Sequence, residues 1–376
     1  MKISYLHGVC VRNDAISQSI RDEVTWLMGN RDNDVRLYAY ACDYDSLPFT
    51  RVNEIWDVAF DTHFQNSDLV VFHFGVVYPL FDLIAATPKS AARLVVFHNI
   101  TPRELVSAEA RPTIDKSFAQ MANMMFADLA ICVSQTNVDA LRTHGVTTPS
   151  SVLSIAVHGL SKAPDSKPSG TDGIVRITFI GRFVKSKGAI DLLHSIDEVL
   201  NRRLDLSLRV DLVGNTSFSD PNVLSDVRIR ATHLQAKYRE RVRIRISGDV
   251  SESEKNLILS EADLFVLPTY HEGFCVPIAE ALSSACKVIA YDNSNISAIS
   301  GGFASLIATG DLVALSSTIE GAVDVVLSSQ WRSNAAGGYN AYAASAWQYA
   351  QQFSSSATRT RFLNFIDNFM RDRRRN

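Results

Sequence analysis

Short apolar runs alternate with longer runs of helical spacing along almost all of the 376 residues. "KISYL" (2–6) reads as a strand. "AISQSIRDEVTWLMG" (15–29) carries Ile16, Ile20, Val24 and Leu27 on one face, with Asp14 as N-cap and Gly29 as stop, which predicts a helix. "VRLYAYA" (35–41), "DLVVFHF" (68–74), "RLVVFHN" (93–99) and "ADLAICVS" (127–134) read as further strands. A helix ending near Gly145 follows, and "SVLSIAV" (151–157) closes this half. The segment "HGLSKAPDSKPSGTDG" (158–173) is rich in Ser, Pro, Gly and charge and reads as a linker. The alternation then restarts with "IVRITFI" (174–180), "LRVDLVG" (208–214), "RVRIRIS" (241–247), "ADLFVLP" (262–268), "KVIAY" (287–291) and "ASLIA" (304–308). The tail, 346–370, reads as two helices with aromatic faces. Apolar strands separated by helices predict parallel sheets covered on both faces. The expected fold class is therefore α/β, with a first domain over 1–160, a linker over 158–173 and a second domain over 174–345.

Composition narrows the function classes. The chain is 46% hydrophobic and 20% charged, as in ordinary globular proteins, and its net charge of -3 gives no basis for nucleic-acid binding. "MKISYLHGVC" is too short and polar for a signal peptide, and no apolar run reaches membrane-spanning length. Cys10, Cys42, Cys132, Cys275 and Cys286 are scattered without a C-x-x-C pair, which fits reduced thiols and a cytoplasmic location. Two basic stretches, "RERVRIR" (239–245) and the terminal "RDRRRN", read first as solvated faces. Their functional reading is peripheral contact with anionic lipid at the inner face of a membrane.

Parallel α/β sheets bind ligands beyond the carboxyl ends of their strands, so chemistry is sought there. "YHEGFCVPIAEAL" (270–282) follows an apolar strand. Pro277 suits a first helical turn, which places a helix start near Val276 and leaves the amides of Phe274, Cys275 and Val276 as free donors for an anion. Gly273 admits a ligand to the backbone. Glu272 and Glu280 then flank a phosphate and can accept from vicinal hydroxyls, which suits a diphosphate with a sugar at each end. The bland reading is a solvated Glu272 and a Glu280 that merely favours the helix dipole, and the spacing alone leaves both readings standing. In "FIGRFVKSKGAIDLL" (179–193) the strand ends at Gly181, and Arg182 and Lys187 are candidates for the diphosphate or, blandly, surface cations. The loop is not a P-loop. In the first half, His98 of "FHNITPRE" ends a strand, and Thr101, Pro102 and Glu104 have the spacing of a capping box with Pro at the first helical position. A core histidine is the alternative, and His73 of "VVFHFG" competes for the role.

Together "GRFVKSKG" and "EGFCVPIAEAL" resemble glycosyltransferase family 4, the retaining GT-B enzymes known as glycosyl transferases group 1. That signature is G-R-x-x-x-x-K-G followed by E-x7-E. The intervening "ISGDVSESEKNLILSEADLFVLP" looks like the family's base-reading segment, and "FHNITP" and "VSQTNVDALRTHGV" extend the resemblance into the first half. The resemblance implies two Rossmann-like domains facing across a cleft, the first binding the acceptor and the second the nucleotide-sugar. It also implies a C-terminal helix, about 350–376, that returns to the first domain. By the same resemblance Arg182 and Lys187 bind the donor diphosphate, Glu272 the donor sugar, and the Phe274–Val276 amides the distal phosphate. Glu280 takes the ribose, the backbone near Val250 the base, and His98 the donor sugar. Gly8 sits in the loop that admits phosphate and acceptor, but Asn13-Asp14 stands where relatives carry a Gly pair. Cys275 stands where glycine is common, and "SSACKV" replaces the usual step after the helix.

The activity implied is metal-independent, retaining transfer of a hexose from a nucleotide-sugar to an acceptor hydroxyl, with no further cofactor. The first expectation is mannose from GDP-mannose, then a UDP-hexose, and the acceptor is a saccharide or lipid-linked saccharide of polysaccharide or lipopolysaccharide assembly. "DND" (32–34) and "DYD" (43–45) lie in early loops and read as turn residues, not metal ligands. The rivals are a sugar-nucleotide epimerase, a phosphorylase and a catalytically silent nucleotide-sugar-binding module. Nicotinamide-dependent oxidoreduction is disfavoured because "YLHGVCVRND" lacks G-x-G-x-x-G.

Overall fold

The structure is a computed structural model that describes residues 1–12, 14–160, 162–333 and 337–375. Asn13, half of the Asn13-Asp14 pair, lies outside the described residues. The chain divides into two units. The first comprises Met1–Arg103, Ala108–Ala156 and the segment from Ser355 on; the second comprises Glu104–Ser107 and Val157–Ser354.

The first unit contains β1 (Lys2–Leu6), β2 (Val9–Cys10), β3 (Asp34–Ala39), β4 (Ala41–Cys42), β5 (Phe49–Arg51), β6 (Leu69–Phe74), β7 (Ala92–Phe97), β8 (Leu129–Cys132) and β9 (Ser150–Val152). Seven of them form one parallel sheet in the order β5-β3-β1-β6-β7-β8-β9, while β2 and β4 pair separately. Alternating residues of β1, β6 and β7 (Ile3, Tyr5, Leu69, Val71, Leu94, Val96) pack with Ile20, Val24 and Leu27 of the helix Ala15–Met28. Phe362, Ile366 and Met370 of the last helix, Ser355–Arg375, join that same core, so the terminal helix belongs to the first unit. Arg373 secures its end on Asp128 and the Ala91 carbonyl.

The second unit contains β10 (Val175–Ile180), β11 (Leu208–Val213), β12 (Val242–Ser247), β13 (Leu264–Leu267), β14 (Lys287–Asp292) and β15 (Ala304–Ala308), all parallel in the order β12-β11-β10-β13-β14-β15. The basic stretch at 239–245 is accounted for within this unit. Arg241 caps the carbonyl of Leu200, Arg245 pairs with Asp211, and β12 is an edge strand on which charge discourages pairing with other chains.

Several local expectations are corrected. The Thr101–Glu104 spacing does not start a helix: a 3-10 turn spans Arg103–Leu105, and the α-helix begins at Arg111 with Pro112 in its first turn. Proline in a helix interior lacks its donor and clashes with the preceding turn, so a helix begun at 102 could not run through 112. The segment 158–173 is not a free linker. Its Lys167 is buried and donates to the carbonyls of Leu259, Ser260 and Ser284, while Ser169 bonds Asp263. The strand expected over 35–41 breaks at Tyr40, whose amide donates to the Gly8 carbonyl, and the one over 151–157 stops at Val152. The tail helices are Tyr339–Ala350 and Ser355–Arg375, separated at Gln351–Phe353. Cys10 and Cys42, far apart in sequence, are register partners in β2 and β4.

Candidate functional site

In the second unit the strand order reverses between β10 and β13, and the loops leaving these two adjacent strands carry both sequence motifs. This is the switch point where open parallel sheets form their ligand crevice. After β10 come Gly181, exposed Arg182 and a 3-10 turn, Lys185–Lys187, that ends at Gly188. After β13 the chain passes Pro268 and Glu272 before the helix Val276–Ser283, with Pro277 in its first turn as the sequence suggests. The two loops are knitted together by backbone: the Tyr270 amide and the Thr269 hydroxyl both donate to the Ser186 carbonyl.

Lys187 Nζ lies 2.5 Å from Glu272 Oε1, joining the two motifs in one ion pair whose side chains are 17% and 11% exposed. Arg182 makes no side-chain hydrogen bond or ion pair among the described residues and is open to solvent. The amides of Phe274, Cys275 and Val276 likewise have no acceptor among the described residues. Three such donors at a helix start, with two cations beside them, form a receptor for an anion. Cys275 has φ 76°, the left-handed conformation that glycine adopts without penalty, which explains why glycine is common there. Its buried thiol is pushed far above the ordinary range by desolvation, with the Glu272 carboxylate adding to the effect, so it packs and does not attack. Asn295 holds the loop from behind by donating to the Phe274 carbonyl at 3.0 Å.

Glu280 is 5% exposed and accepts from Lys255 Nζ at 2.7 Å; Lys255 also bonds Glu252 at 3.0 Å. Burial pushes the Glu280 carboxyl up against the pull of Lys255, while the two carboxylates outweigh burial and hold Lys255 charged. Lys255 is a residue that the motifs do not name. Its signal was available as the one cation in "SESEKNLILSE", inside the segment assigned to the base. Val250 lies in the loop between β12 and the helix Glu252–Glu261 that carries Lys255. Glu272, Lys187, Arg182, Gly181, Gly273, the Phe274–Val276 amides, Glu280 and Val250 thus all fall on loops or helix starts that follow strands of one sheet.

In the first unit Gly8 and His7 follow β1, His73 lies in β6, and His98 follows β7. His98 is 9% exposed and its Nε2 is 2.8 Å from His73 Nδ1. The two readings of His98 and His73 therefore merge: they form one cluster. "DND" and "DYD" serve local structure, with Asp32 and Asn33 in a turn and Asp43 accepting from the Arg12 amide. No group of three or more His, Cys, Asp or Glu suited to a metal occurs among the described residues. No described helix is long and apolar enough to cross a membrane. A cavity of about 210 Å³ lined by Lys167, Trp331, Arg332 and Tyr339 contains none of the motif residues.

Residues 175–324 match the family model described as glycosyl transferases group 1. The chain is 30% identical over 158 residues to a component of the phosphatidylinositol N-acetylglucosaminyltransferase of Arabidopsis thaliana; the match covers 42% of this chain and 33% of that protein, about a third of its length. Among solved structures, Anabaena Alr3699/HepE in complex with UDP matches with a TM-score of 0.75 at 16% identity, covering 98% of this chain and 100% of that one. A glycosyltransferase from Rickettsia africae matches at 0.73 with 14% identity over 96% and 97%. At these identities the structural likeness establishes the fold, which is GT-B: two Rossmann-like parallel-sheet units.

Proposed function

We propose that this chain, of GT-B fold and with residues 175–324 in the glycosyl transferases group 1 family, moves a hexose from a nucleoside-diphosphate sugar to an acceptor hydroxyl with retention at the anomeric carbon. The observation that carries the reading is the Lys187–Glu272 pair at the switch point, beside unpartnered Arg182 and the three free amides before the helix Val276–Ser283. Breaking a glycosidic bond to a diphosphate develops negative charge on the departing phosphate. Preorganised cations and amides act on charge of that kind, and they supply it without a metal ion. Lys187 then serves two anions: Glu272 holds its ammonium in place, and the diphosphate takes its remaining donors. Glu272, fixed by Lys187, accepts from a sugar hydroxyl. Glu280, fixed by Lys255, accepts from the ribose, and the loop at Val250 meets the base.

The donor that we place first is GDP-mannose, followed by a UDP-hexose, and the acceptor is a saccharide or lipid-linked saccharide. The setting is cytoplasmic, and the exposed Arg371, Arg374 and Arg375 at the end of the last helix are the groups that would meet an anionic inner membrane face. Release of nucleoside diphosphate tests the reading. Purified protein is incubated with GDP-mannose, UDP-glucose, UDP-galactose and UDP-N-acetylglucosamine, with magnesium or with a chelator. One donor is expected to release its nucleoside diphosphate above the protein-free rate under both conditions. A donor recovered intact but inverted at a sugar carbon would indicate an epimerase, and no release from any would favour a silent binding module.

A further inference from the structure

Three histidines crowd the carboxyl ends of adjacent strands in the first unit, and two of them form a chain of hydrogen bonds that reaches back into the core. His98 Nε2 meets His73 Nδ1 at 2.8 Å, with the rings stacked at 5.0 Å between centroids. His73 Nε2 meets Glu23 Oε2 at 3.1 Å. The same Glu23 oxygen accepts from the Tyr5 hydroxyl at 3.2 Å, and its other oxygen accepts from Ser19 at 3.0 Å. His73 and Tyr5 are fully buried, and Glu23 is 6% exposed. Only His98 Nδ1 ends the chain without a partner among the described residues.

A neutral imidazole carries one N–H, so the direction of each bond fixes the next. If Glu23 is protonated it donates to His73 Nε2; His73 then donates from Nδ1 to His98 Nε2, and His98 presents an N–H at Nδ1. If Glu23 is ionised, His73 donates to it from Nε2 and accepts at Nδ1 from His98 Nε2–H. The lone pair of His98 Nδ1 is then the open end. We propose that Glu23 is a positioning residue that acts through His73 to set whether His98 offers a proton or a lone pair to a bound sugar. The sugar as ligand rests on the function proposed above; the relay itself does not.

The surroundings keep the chain neutral and place its switch near the working range. Burial is the leading cause that pushes Glu23 up to about 8; the Ser19 and Tyr5 hydroxyls oppose it and Asp22 adds to it. Burial pulls His73 down to about 3. Burial and then His73 pull His7 down to about 4, against its bond to the His73 carbonyl and the Asp14 charge. The same two causes, with His7, hold His98 well below its ordinary value, opposed by Asp14. The groups facing Glu23 are thus Tyr5 from β1, Ser19 and Asp22 from its own helix, and His73 from β6. Ser154 and Thr358 share with it a small cavity on the far side. At neutral pH Glu23 holds its proton and His98 Nδ1 donates, to a hydroxyl, ring or phosphate oxygen. Above about 8 it accepts, and only a hydroxyl or amide donor suits it.

Two-bond ¹H–¹⁵N correlation spectra of the full chain labelled at histidine test this, because they distinguish the protonated from the bare ring nitrogen. At pH 6.5 His73 and His98 are both expected as Nδ1–H tautomers. Both should change to Nε2–H together as pH rises through about 8. In Glu23→Gln the change should vanish. In Tyr5→Phe, which removes a bond favouring the carboxylate, its midpoint should move to higher pH. Tautomers that stay fixed from pH 6 to 9.5, or that differ between the two rings, would overturn the relay, as would His98 titrating to imidazolium at its ordinary value. The KM for the nucleotide-sugar should step at the same midpoint. A tautomer change with a flat KM would keep the relay and overturn the sugar contact, so the two failures can be told apart.

Discussion

Replacing Lys187 with alanine is expected to lower turnover of sugar transfer about 10²- to 10³-fold, the range for removing one preorganised charge from a developing anion. The substitution also strips Glu272 of its counter-ion. Its carboxylate is only 11% exposed, so some stability is lost as well. Lys187→Gln separates the two effects, because the amide can still donate to Glu272 but carries no charge. Turnover should fall in both variants by a similar factor, while the thermal transition should fall mainly in the alanine variant. Steady-state assays with the donor identified by nucleotide release provide the check. Near-normal turnover in Lys187→Gln would remove Lys187 from the chemistry and leave it as a structural partner of Glu272.

The largest stability effect is expected one residue further along. Gly188 has φ +72°, and a Cβ placed on it would stand 1.9 Å from the Pro268 carbonyl oxygen and 2.8 Å from its carbon. Both atoms belong to backbone at the end of β13, so relief requires separation of the two motif loops, not a rotamer change. Left-handed backbone in a residue with a Cβ adds about 1–3 kcal/mol of its own. Gly188→Ala should therefore cost more than about 4 kcal/mol, a size seen only with severe steric or polar conflict. For a unit of this size that is a fall of roughly 8–16 °C in the thermal transition. Gly170, in a helical turn with nothing within 4 Å of its added Cβ, is the matched control, and Gly170→Ala should move the transition little. A Gly188→Ala protein that melts within a few degrees of the parent would show that the loops are not locked together there.

The parallel-sheet architecture was legible because every central strand is apolar on both faces, and no other fold accommodates so many such runs between amphipathic helices. The diphosphate site was legible for a different reason. Glycine at 181 and 188, proline at 277 and the carboxylates at 272 and 280 are each demanded by backbone geometry or charge, and they occur at fixed spacing. Long-range partners were not legible. Nothing local to Lys255 says that it meets Glu280, and nothing in the helix Ala15–Met28 marks Glu23 as the end of a histidine chain. The Thr101–Glu104 capping signal misled because capping is decided within one turn, while the helix it would have begun was prevented by Pro112. The segment 158–173 misled because composition reports polarity on average, and a single buried ammonium, that of Lys167, anchors it.

The central claim is that the second unit binds a nucleoside diphosphate on the residues between β10 and the helix Val276–Ser283. Calorimetric titration of the full chain with GDP, UDP and ADP, with and without magnesium, measures this. One nucleotide should bind with micromolar affinity in both conditions. Its affinity should fall about tenfold or more in Arg182→Ala and in Glu280→Gln, as expected for loss of a charged hydrogen bond of about 1.5–3 kcal/mol. Absence of binding by all three, or binding unchanged by both substitutions, would contradict the assignment of this site.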